Sequence, residues 1–510
     1  MKFNKYVCLL GLLAVLLLPT SCKESFLEQK NTQGITEDAL FKKESDGVAL
    51  VTGIYDTFHD VDFTLKALWY QANFLSQDFK NYGADTFFET YEVKSDFAAL
   101  DLFWTRAYQG IARANSAIPI IANMKTNKIM SDTLANRLTG ETLFLRGLFY
   151  YYLASNFGGV PLELKTVTDD GRHPRNTQDE VFTAVAADMK AAAELLPWPQ
   201  DLTAVNVGRA TKGAALAYLG DAQMWLKQYA AAAATYEQLT NRYQLEKDFI
   251  NIHEFNNQNG KESVFEIQYI AGQDMSWGHT NDSHWLTTFG IPEEISQFGY
   301  CYADKKLYDS FEPGDTRKLA TVIGPGDTHP SPAIQIKNYP LVKEKWGGIN
   351  TLGTKEKPWK GSDNLRSGYY GVKTWRDPNA TGNSGNPAYI FSGQNLILMR
   401  YGQVLLSKAE ALAKSGNTAG ALDVINSQIR KRAGLGAASG TNVTSILLNE
   451  YRHELAGEFS LWFILRRSGE HLNYVKEKYG ITVPPGKDLM PIPEKQIATN
   501  QKLEQNPGYK

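Results

Sequence analysis

Apolar residues recur at spacings of three and four along most of the first 240 residues, which is the pattern of helices that bury one face. The stretches 102–115 and 138–157 both place large apolar groups at these spacings. The same pattern covers 178–196 and stops before Pro197, as expected where a helix ends. We therefore predict a nearly continuous series of helices from about residue 38 to residue 240.

A helix pair is predicted at 210–226 and 228–243. Small residues such as Ala217 and Gly220 are interspersed there with large ones such as Trp225. This composition is typical of tetratricopeptide-like pairs, in which small residues let antiparallel helices approach closely.

A second pair is predicted at 396–415 and 418–433, with Gly416 in the turn, where a helix commonly ends. We expect about four such pairs in total, the others near 101–155 and 137–196. The predicted fold class is thus mostly α, a tetratricopeptide-like helix-pair scaffold.

Between about 250 and 390 the helical period fades, and Gly, Pro, Asn and Asp become dense. Short strand-like runs appear, such as 263–269. We predict one domain over 41–510, with a helical scaffold at about 41–245 and 394–475 that carries this loop-rich insertion. The insertion contains five of the ten tryptophans: Trp277, Trp285, Trp346, Trp359 and Trp375.

The N-terminus predicts export. Two lysines precede an apolar run at 7–18, which is too short to span a bilayer as a helix. A small residue and then Cys22 follow, as in bacterial lipoprotein signals. We predict a signal peptide at 1–21, acylation of Cys22 and a polar tether at 22–40, since acyl chains on one residue anchor a protein stably. The alternative is an ordinary secretory signal with a chance cysteine.

Charge and cysteine content argue against a nucleic-acid partner and against stabilisation by disulfides. The formal net charge is -2, and no clustered basic face indicates a nucleic-acid partner. Of the three cysteines, Cys8 lies in the predicted signal and Cys22 is the predicted lipid site. Cys301 is then left without a disulfide partner, so stability must come from the core.

Five sequence blocks resemble one known family, the SusD-like (RagB/SusD) outer-membrane lipoproteins of the Bacteroidetes. Within these blocks Arg146, Lys212 and Glu410 have the character of helix-packing and buried polar positions rather than ligand contacts. The blocks are 22–28 (CKESFLE), 141–152 (ETLFLRGLFYYY) with 157–162 (FGGVPL), 208–217 (GRATKGAALA), 399–411 (MRYGQVLLSKAEA), and 491–494 (PIPE) with Asn500 and 505–509 (QNPGY).

One segment departs from the family pattern. Relatives usually carry an Arg-Trp-Phe-Asp stretch where this chain has Leu461 and Ile464 flanking Trp462 and Phe463. Replacing a buried ion pair by apolar groups can be neutral for stability. We expect the fold to be kept and the packing of this helix to change.

The resemblance implies a SusD-like fold and a lipid-anchored protein of the outer membrane that faces the cell exterior. It implies an oligosaccharide or polysaccharide ligand and a SusC-like, TonB-dependent barrel partner that the protein closes as a lid. Other members of the family handle peptides or other nutrients, so a peptide ligand is the alternative.

Sugars bind through apolar faces that stack on aromatic rings and through hydroxyls that meet planar polar side chains. The insertion supplies such residues in Trp277, Trp285, Tyr300, Trp346 and Trp359. The alternative is a purely structural role, in which these rings pack the insertion against the helices.

A second candidate segment is a predicted loop with Asp78, Asn81 and Tyr82, although Asp and Asn also form simple turns. Trp104, Trp225 and Trp462 lie in helical periodicity and are predicted to be core residues.

An enzyme is the less favoured class. We find no H-E-x-x-H, G-x-S-x-G or P-loop motif. His279 and His284 are a weak zinc pair, and no EF-hand pattern supports calcium, so no cofactor is expected. A glycosidase needs only two carboxylates, which Glu293, Glu294 or Asp304 could supply. A third class is a pure protein-binding scaffold.

Overall fold

The computed structural model describes residues 40–270, 283–296, 298–377, 383–385 and 390–509, and the mostly helical fold predicted above is confirmed. Helices α1 to α18 are Glu44–Tyr55, Gln71–Phe74, Ala98–Thr126, Asp132–Phe157, Gln178–Leu195, Lys212–Trp225, Tyr229–Glu237, His284–Gly290, Glu293–Ser296, Lys305–Ser310, Arg317–Thr321, Pro340–Lys345, Tyr401–Lys414, Thr418–Val424, Val443–Leu455, Leu461–Ser468, His471–Tyr479 and Glu494–Thr499. Segments Asp62–Tyr70 and Ile425–Arg430 are π-helical.

Short 3-10 segments and strands complete the secondary structure. The 3-10 segments are Asp56–His59, Thr86–Phe88, Pro199–Asp201, Ala204–Asn206, Phe249–His253, Phe255–Asn257 and Ile336–Asn338. Strands β1 to β8 are Phe79–Asn81, Ser263–Ile267, Cys301–Ala303, Val322–Ile323, Tyr370–Gly371, Asn383–Gly385, Ile390–Ser392 and Leu396–Arg400. They pair antiparallel as β1 with β3, β2 with β8, β4 with β5 and β6 with β7.

The scaffold helices pack in chain order, α3 on α4, α4 on α5, α5 on α6 and α6 on α7. Helix α7 then packs on α13, which follows the insertion, so the scaffold is continuous across it. Close approach depends on glycine: a Cβ at Gly220 in α6 would lie 2.4 Å from the ring of Tyr236 in α7. The small and large residues noted in the sequence therefore do meet across a helix pair.

The structure corrects the predicted helix at 396–415. Leu396–Arg400 is strand β8, whose Leu396 pairs with Ile267 of β2, and helix α13 begins only at Tyr401. All residues of β8 except Ile397 are buried. A short, continuous apolar run does not distinguish a buried strand from a helix. The strand predicted at 263–269 is confirmed over Ser263–Ile267.

The nearly continuous helices predicted for 38–240 are also interrupted. Strand β1 and the irregular stretch 158–177 separate the first helices. The insertion has a small core of its own, which packs isoleucines with aromatic rings. Its buried members are Ile291, Ile295, Ile323, Ile334, Ile336, Tyr339, Val342, Leu352, Trp359, Tyr370, Val372 and Trp375.

The tryptophans predicted to be core residues are confirmed as such. Trp104 and Trp462 are buried, and the half-buried Trp225 stacks on Phe182 with ring centroids 4.8 Å apart.

Two of the three polar positions expected to have packing roles, Arg146 and Glu410, are buried, and Lys212 is half-buried. The guanidinium of Arg146 pairs with Asp188 at 2.7 Å, and Glu410 pairs with Arg467 at 2.7 Å. Lys212 lies over the ring of Trp198.

The departure from the family pattern has a direct structural counterpart. Leu461 and Ile464 in α16 are both buried among apolar neighbours. Apolar packing therefore fills both positions.

A network of buried ion pairs joins the insertion to the scaffold. Glu454 of α15 accepts hydrogen bonds from Arg400 at 2.6 Å and from Arg317 of the insertion at 3.2 Å, and it also pairs with Arg432. Burial alone would raise the pKa of Glu454, but these three guanidinium groups hold it well below its ordinary value. We define the Glu454 network by Arg317, Lys373, Arg400, Arg432, Glu454 and Glu458.

No helix among the described residues is long and apolar enough to cross a membrane.

Removing one charge from this network should destabilise the fold. Glu454→Gln leaves buried guanidinium groups without their shared carboxylate, and we expect the free energy of unfolding in urea to fall by about 3–5 kcal/mol. The matched control is Glu237→Gln, because Glu237 is 61% exposed in its pair with Lys408. The control should lose no more than about 1 kcal/mol. Equal, small losses in both variants would contradict the prediction.

The network also predicts a defined acid sensitivity. Burial would raise the pKa of Glu458, but Arg400 and Lys373 lower it to about 2. The unfolded value is about 4.3, so the ionised carboxylate stabilises the fold fully above about pH 4.5 and progressively less down to about pH 2. The difference in unfolding free energy between wild type and Glu458→Gln should shrink as the pH falls below about 4. A difference unchanged at about pH 3 would argue against it.

Candidate functional site

Two short strands place a pair of tyrosines at the protein surface. Strands β1 and β3 pair with Asn81 opposite Cys301, and the backbone N–H of Tyr82 donates to the carbonyl of Tyr300 at 2.7 Å. Side chains alternate between the faces of a strand, so the buried Asn81 and Cys301 point inward. Tyr82 and Tyr300 are both half-buried.

Further aromatic rings continue this surface. The ring of Tyr300 lies 5.7 Å from that of the half-buried Phe298 and 5.0 Å from that of Phe289. Phe289 in turn lies 5.6 Å from Trp285, and both of these rings are buried. We call Tyr82, Phe298 and Tyr300, with Phe289 and Trp285 behind them, the aromatic platform.

Charged side chains hold Tyr82 in place. The guanidinium carbon of Arg366 lies 3.7 Å from the centroid of the Tyr82 ring, within the range of a cation–π contact. The pKa of Tyr82 is raised, because its hydroxyl hydrogen-bonds to the carboxylate of Asp363. Arg366 also donates to Asp363 at 2.8 Å and pairs with Glu293 at 2.6 Å.

The same arginine connects Tyr82 to the rest of the platform. Its guanidinium donates to the carbonyls of Phe298 at 3.4 Å and Gly299 at 3.3 Å. Gly361 makes room for it, because a Cβ there would lie 2.0 Å from the Arg366 Nη1 atom. Tyr82 and Phe298, which come from separate segments, thus share one buried partner.

Asp78 and Asn81 do not join this surface. Asp78 is fully buried, and its carboxylate accepts from Arg452 at 2.7 Å, from Tyr474 at 2.7 Å and from the hydroxyl of Tyr479. Asn81 is 5% exposed and faces the interior. Neither side chain offers an open surface to a ligand, so we leave both out of the platform.

Trp346 and Trp359 lie together in the core of the insertion. Their ring centroids are 5.4 Å apart, with Trp359 buried and Trp346 half-buried. This arrangement matches the alternative considered above, in which these rings pack the insertion. Within the part of the chain that the structure describes, neither ring contacts a ring of the platform. Trp277, His279, Asn281, Asp282 and Cys22 lie outside the described residues.

The carboxylates considered for catalysis have structural partners. Glu293 pairs with Arg366, Glu294 accepts from the backbone N–H of Gly361 at 2.8 Å, and Asp304 caps α10 by accepting from Lys306 at 2.7 Å. Within the described ranges, no group of three or more His, Cys, Asp or Glu side chains is placed to hold a metal ion.

Sequence reasoning missed Phe298, Phe289, Asp363 and Arg366. The spacing of Asp363 and Arg366, with Gly361 just before them, is the one local signal that could have indicated a charged turn. Nothing in the sequence pairs that turn with Tyr82.

A cleft elsewhere offers a less suitable surface for sugars. Its volume is about 1000 Å³, it lies between residues 240–250 and the helices α13 and α14, and it shares no residue with the platform. Its aromatic side chains Tyr243, Phe249 and Tyr401 are all buried. The platform is therefore the better candidate for stacking against a ligand.

Comparison with known proteins identifies the family. Residues 222–509 match the model described as SusD family, and residues 25–224 match one described as starch-binding associating with outer membrane. The chain belongs to the SusD family.

Its relatives span the whole chain. SusD-like protein P2 of Formosa agariphila is 26% identical over 533 residues, covering 97% of this chain and 98% of that protein. A solved laminarin binding SusD-like protein is 21% identical with a TM-score of 0.71, covering 92% of this chain and 100% of that one. Surface glycan-binding protein A from Bacteroides thetaiotaomicron is 20% identical with a TM-score of 0.70 and the same coverage.

The burial of Asp78 predicts an effect on stability. Asp78→Asn should lower the free energy of unfolding by about 3–5 kcal/mol, because Arg452 would lose its buried carboxylate partner. The matched control is Asp170→Asn, since Asp170 is an exposed turn residue, and we expect a loss below about 1 kcal/mol. Urea unfolding measures both. A loss at Asp78 no larger than the control's would show that the site tolerates an unpaired arginine.

Proposed function

We propose that the protein captures an oligosaccharide on the aromatic platform and delivers it to a SusC-like, TonB-dependent transporter of the outer membrane. The observation that carries the proposal is the set of half-buried rings Tyr82, Phe298 and Tyr300 beside the carboxylates of Asp363 and Glu293. Rings offer apolar faces to sugar C–H groups, and carboxylate oxygens accept hydrogen bonds from hydroxyls.

The comparisons support a glycan ligand. One structure with the same fold is named as a laminarin binding protein and another as a surface glycan-binding protein. The description of the model that matches residues 25–224 includes both starch binding and the outer membrane. We propose that lipid on Cys22 tethers the protein at that membrane on its outer side.

The proposed role is binding without catalysis. Glu293, Glu294 and Asp304, the carboxylates considered for hydrolysis, each serve a structural partner. The proposal includes no cofactor. Peptide capture by the same platform is the alternative, since aromatic surfaces also bind peptides.

Isothermal titration calorimetry on the full chain tests the proposal. The chain is held in lauryldimethylamine oxide, a detergent without a sugar headgroup. The panel contains neutral gluco-, manno- and galacto-oligosaccharides, acidic oligosaccharides of uronates and sulfated sugars, and short peptides. We expect one glycan class to bind and no product to form on long incubation. Binding of peptides alone would favour the alternative, and product formation would overturn the non-catalytic role.

Variants locate the site. Tyr82→Ala and Tyr300→Ala should each weaken binding of the selected glycan by about tenfold, because each removes a stacking surface worth about 1.4 kcal/mol. The matched control is Tyr229→Ala in α7, a half-buried tyrosine that belongs to the scaffold. The control should keep wild-type affinity. Full affinity in both platform variants would place the glycan elsewhere.

A further inference from the structure

The charges next to Tyr82 are arranged unevenly between the interior and the surface. The side chain of Arg366 is 2% exposed, whereas those of Asp363 and Glu293 are 31% and 23% exposed. The positive charge is thus buried against the Tyr82 ring, and it forms ion pairs with both carboxylates. Of these three charged side chains, only the two carboxylates reach solvent.

These carboxylates keep capacity to accept further hydrogen bonds. Asp363 Oδ1 accepts from the backbone N–H of Leu365 at 3.1 Å and from Arg366 at 2.8 Å. Glu293 Oε1 accepts from the backbone N–H of Ser362 at 3.3 Å. An ionised carboxylate has about four acceptor positions, so each has some left for a ligand hydroxyl. The hydrogen bond from Tyr82 lowers the pKa of Asp363, which keeps this group ionised at neutral pH.

We propose that the aromatic platform selects neutral, hydroxyl-rich glycans and discriminates against glycans that carry carboxylate or sulfate groups. This inference rests on the proposed function and specifies its substrate class. Neutral hydroxyls donate to Asp363 and Glu293, whereas an anionic group meets carboxylates of the same sign. Arg366 acts as a positioning residue: it fixes Tyr82 and Phe298 from behind and is too buried to pair with an anionic sugar.

A matched pair of ligands tests the proposal on the full chain in the same detergent. The probes are the neutral oligosaccharide that binds best in the panel and the same oligosaccharide oxidised to uronic acid at C6. We expect the dissociation constant of the oxidised form to be at least about tenfold higher, because two partly exposed carboxylates repel its uronate group. Equal or tighter binding of the oxidised form would overturn the inference. So would an acidic oligosaccharide as the best ligand of the panel, although glycan capture would then stand. If no glycan binds, the proposed function itself fails and this inference with it.

A double variant assigns the discrimination to these residues. In Asp363→Asn with Glu293→Gln, the ratio of the two dissociation constants should fall to below about threefold, since both negative charges are gone. The matched control is Asp170→Asn with Glu237→Gln, which removes two exposed charges away from the platform and should keep the wild-type ratio. An unchanged ratio in the platform variant would contradict the proposal.

Wild-type protein supplies a second test if the double variant does not fold. Salt screens exposed charges, so raising ionic strength from about 0.05 to 0.5 M should strengthen binding of the oxidised form and leave the neutral form unchanged. Weaker binding of the oxidised form at high salt would indicate attraction to a cation and overturn the inference.

Discussion

The position of the insertion on the helices depends on one buried carboxylate shared by three arginines. Glu454 is fully buried, and Arg317 reaches it from the insertion while Arg400 reaches it from strand β8. Taking these charges out of water is costly, and the network repays that cost only when every member is present. The platform, which is built largely by the insertion, inherits its geometry from this constraint.

Much of the fold could be read from the sequence because most of it is local. Helices such as α4 and α5 follow apolar spacing, and α5 begins at a capping box in which Thr177 and Glu180 bond to each other's backbone N–H. Strand β8 was not predicted, because a short strand that is buried on both faces shows no alternation of apolar and polar residues. Its identity depends on pairing with β2, which lies more than a hundred residues earlier in the chain.

The site could be predicted only in part. Tyr82 and Tyr300, both predicted to contact a ligand, lie next to each other where β1 pairs with β3, whereas Trp285 is 7% exposed and packs behind Phe289 in the core. Asp78 had the sequence context of a turn, yet a partner 374 residues away makes it a buried anion. Arg366, by contrast, was not predicted and yet contacts Tyr82. A cation–π contact between distant segments leaves no periodicity or spacing in the sequence that could reveal it. The sequence showed that the insertion contains five of the ten tryptophans, but only the fold shows which aromatic rings lie near the surface.

The pairing of β1 with β3 has a kinetic consequence. Tyr82 and Tyr300 acquire their register only when segments more than two hundred residues apart have met, and contacts of such long sequence separation form slowly. Asp78, next to β1, must also find Arg452 near the end of the chain. A partly folded or truncated chain would therefore contain the helices without the platform. Ligand binding at the platform would then report whether these distant segments have met.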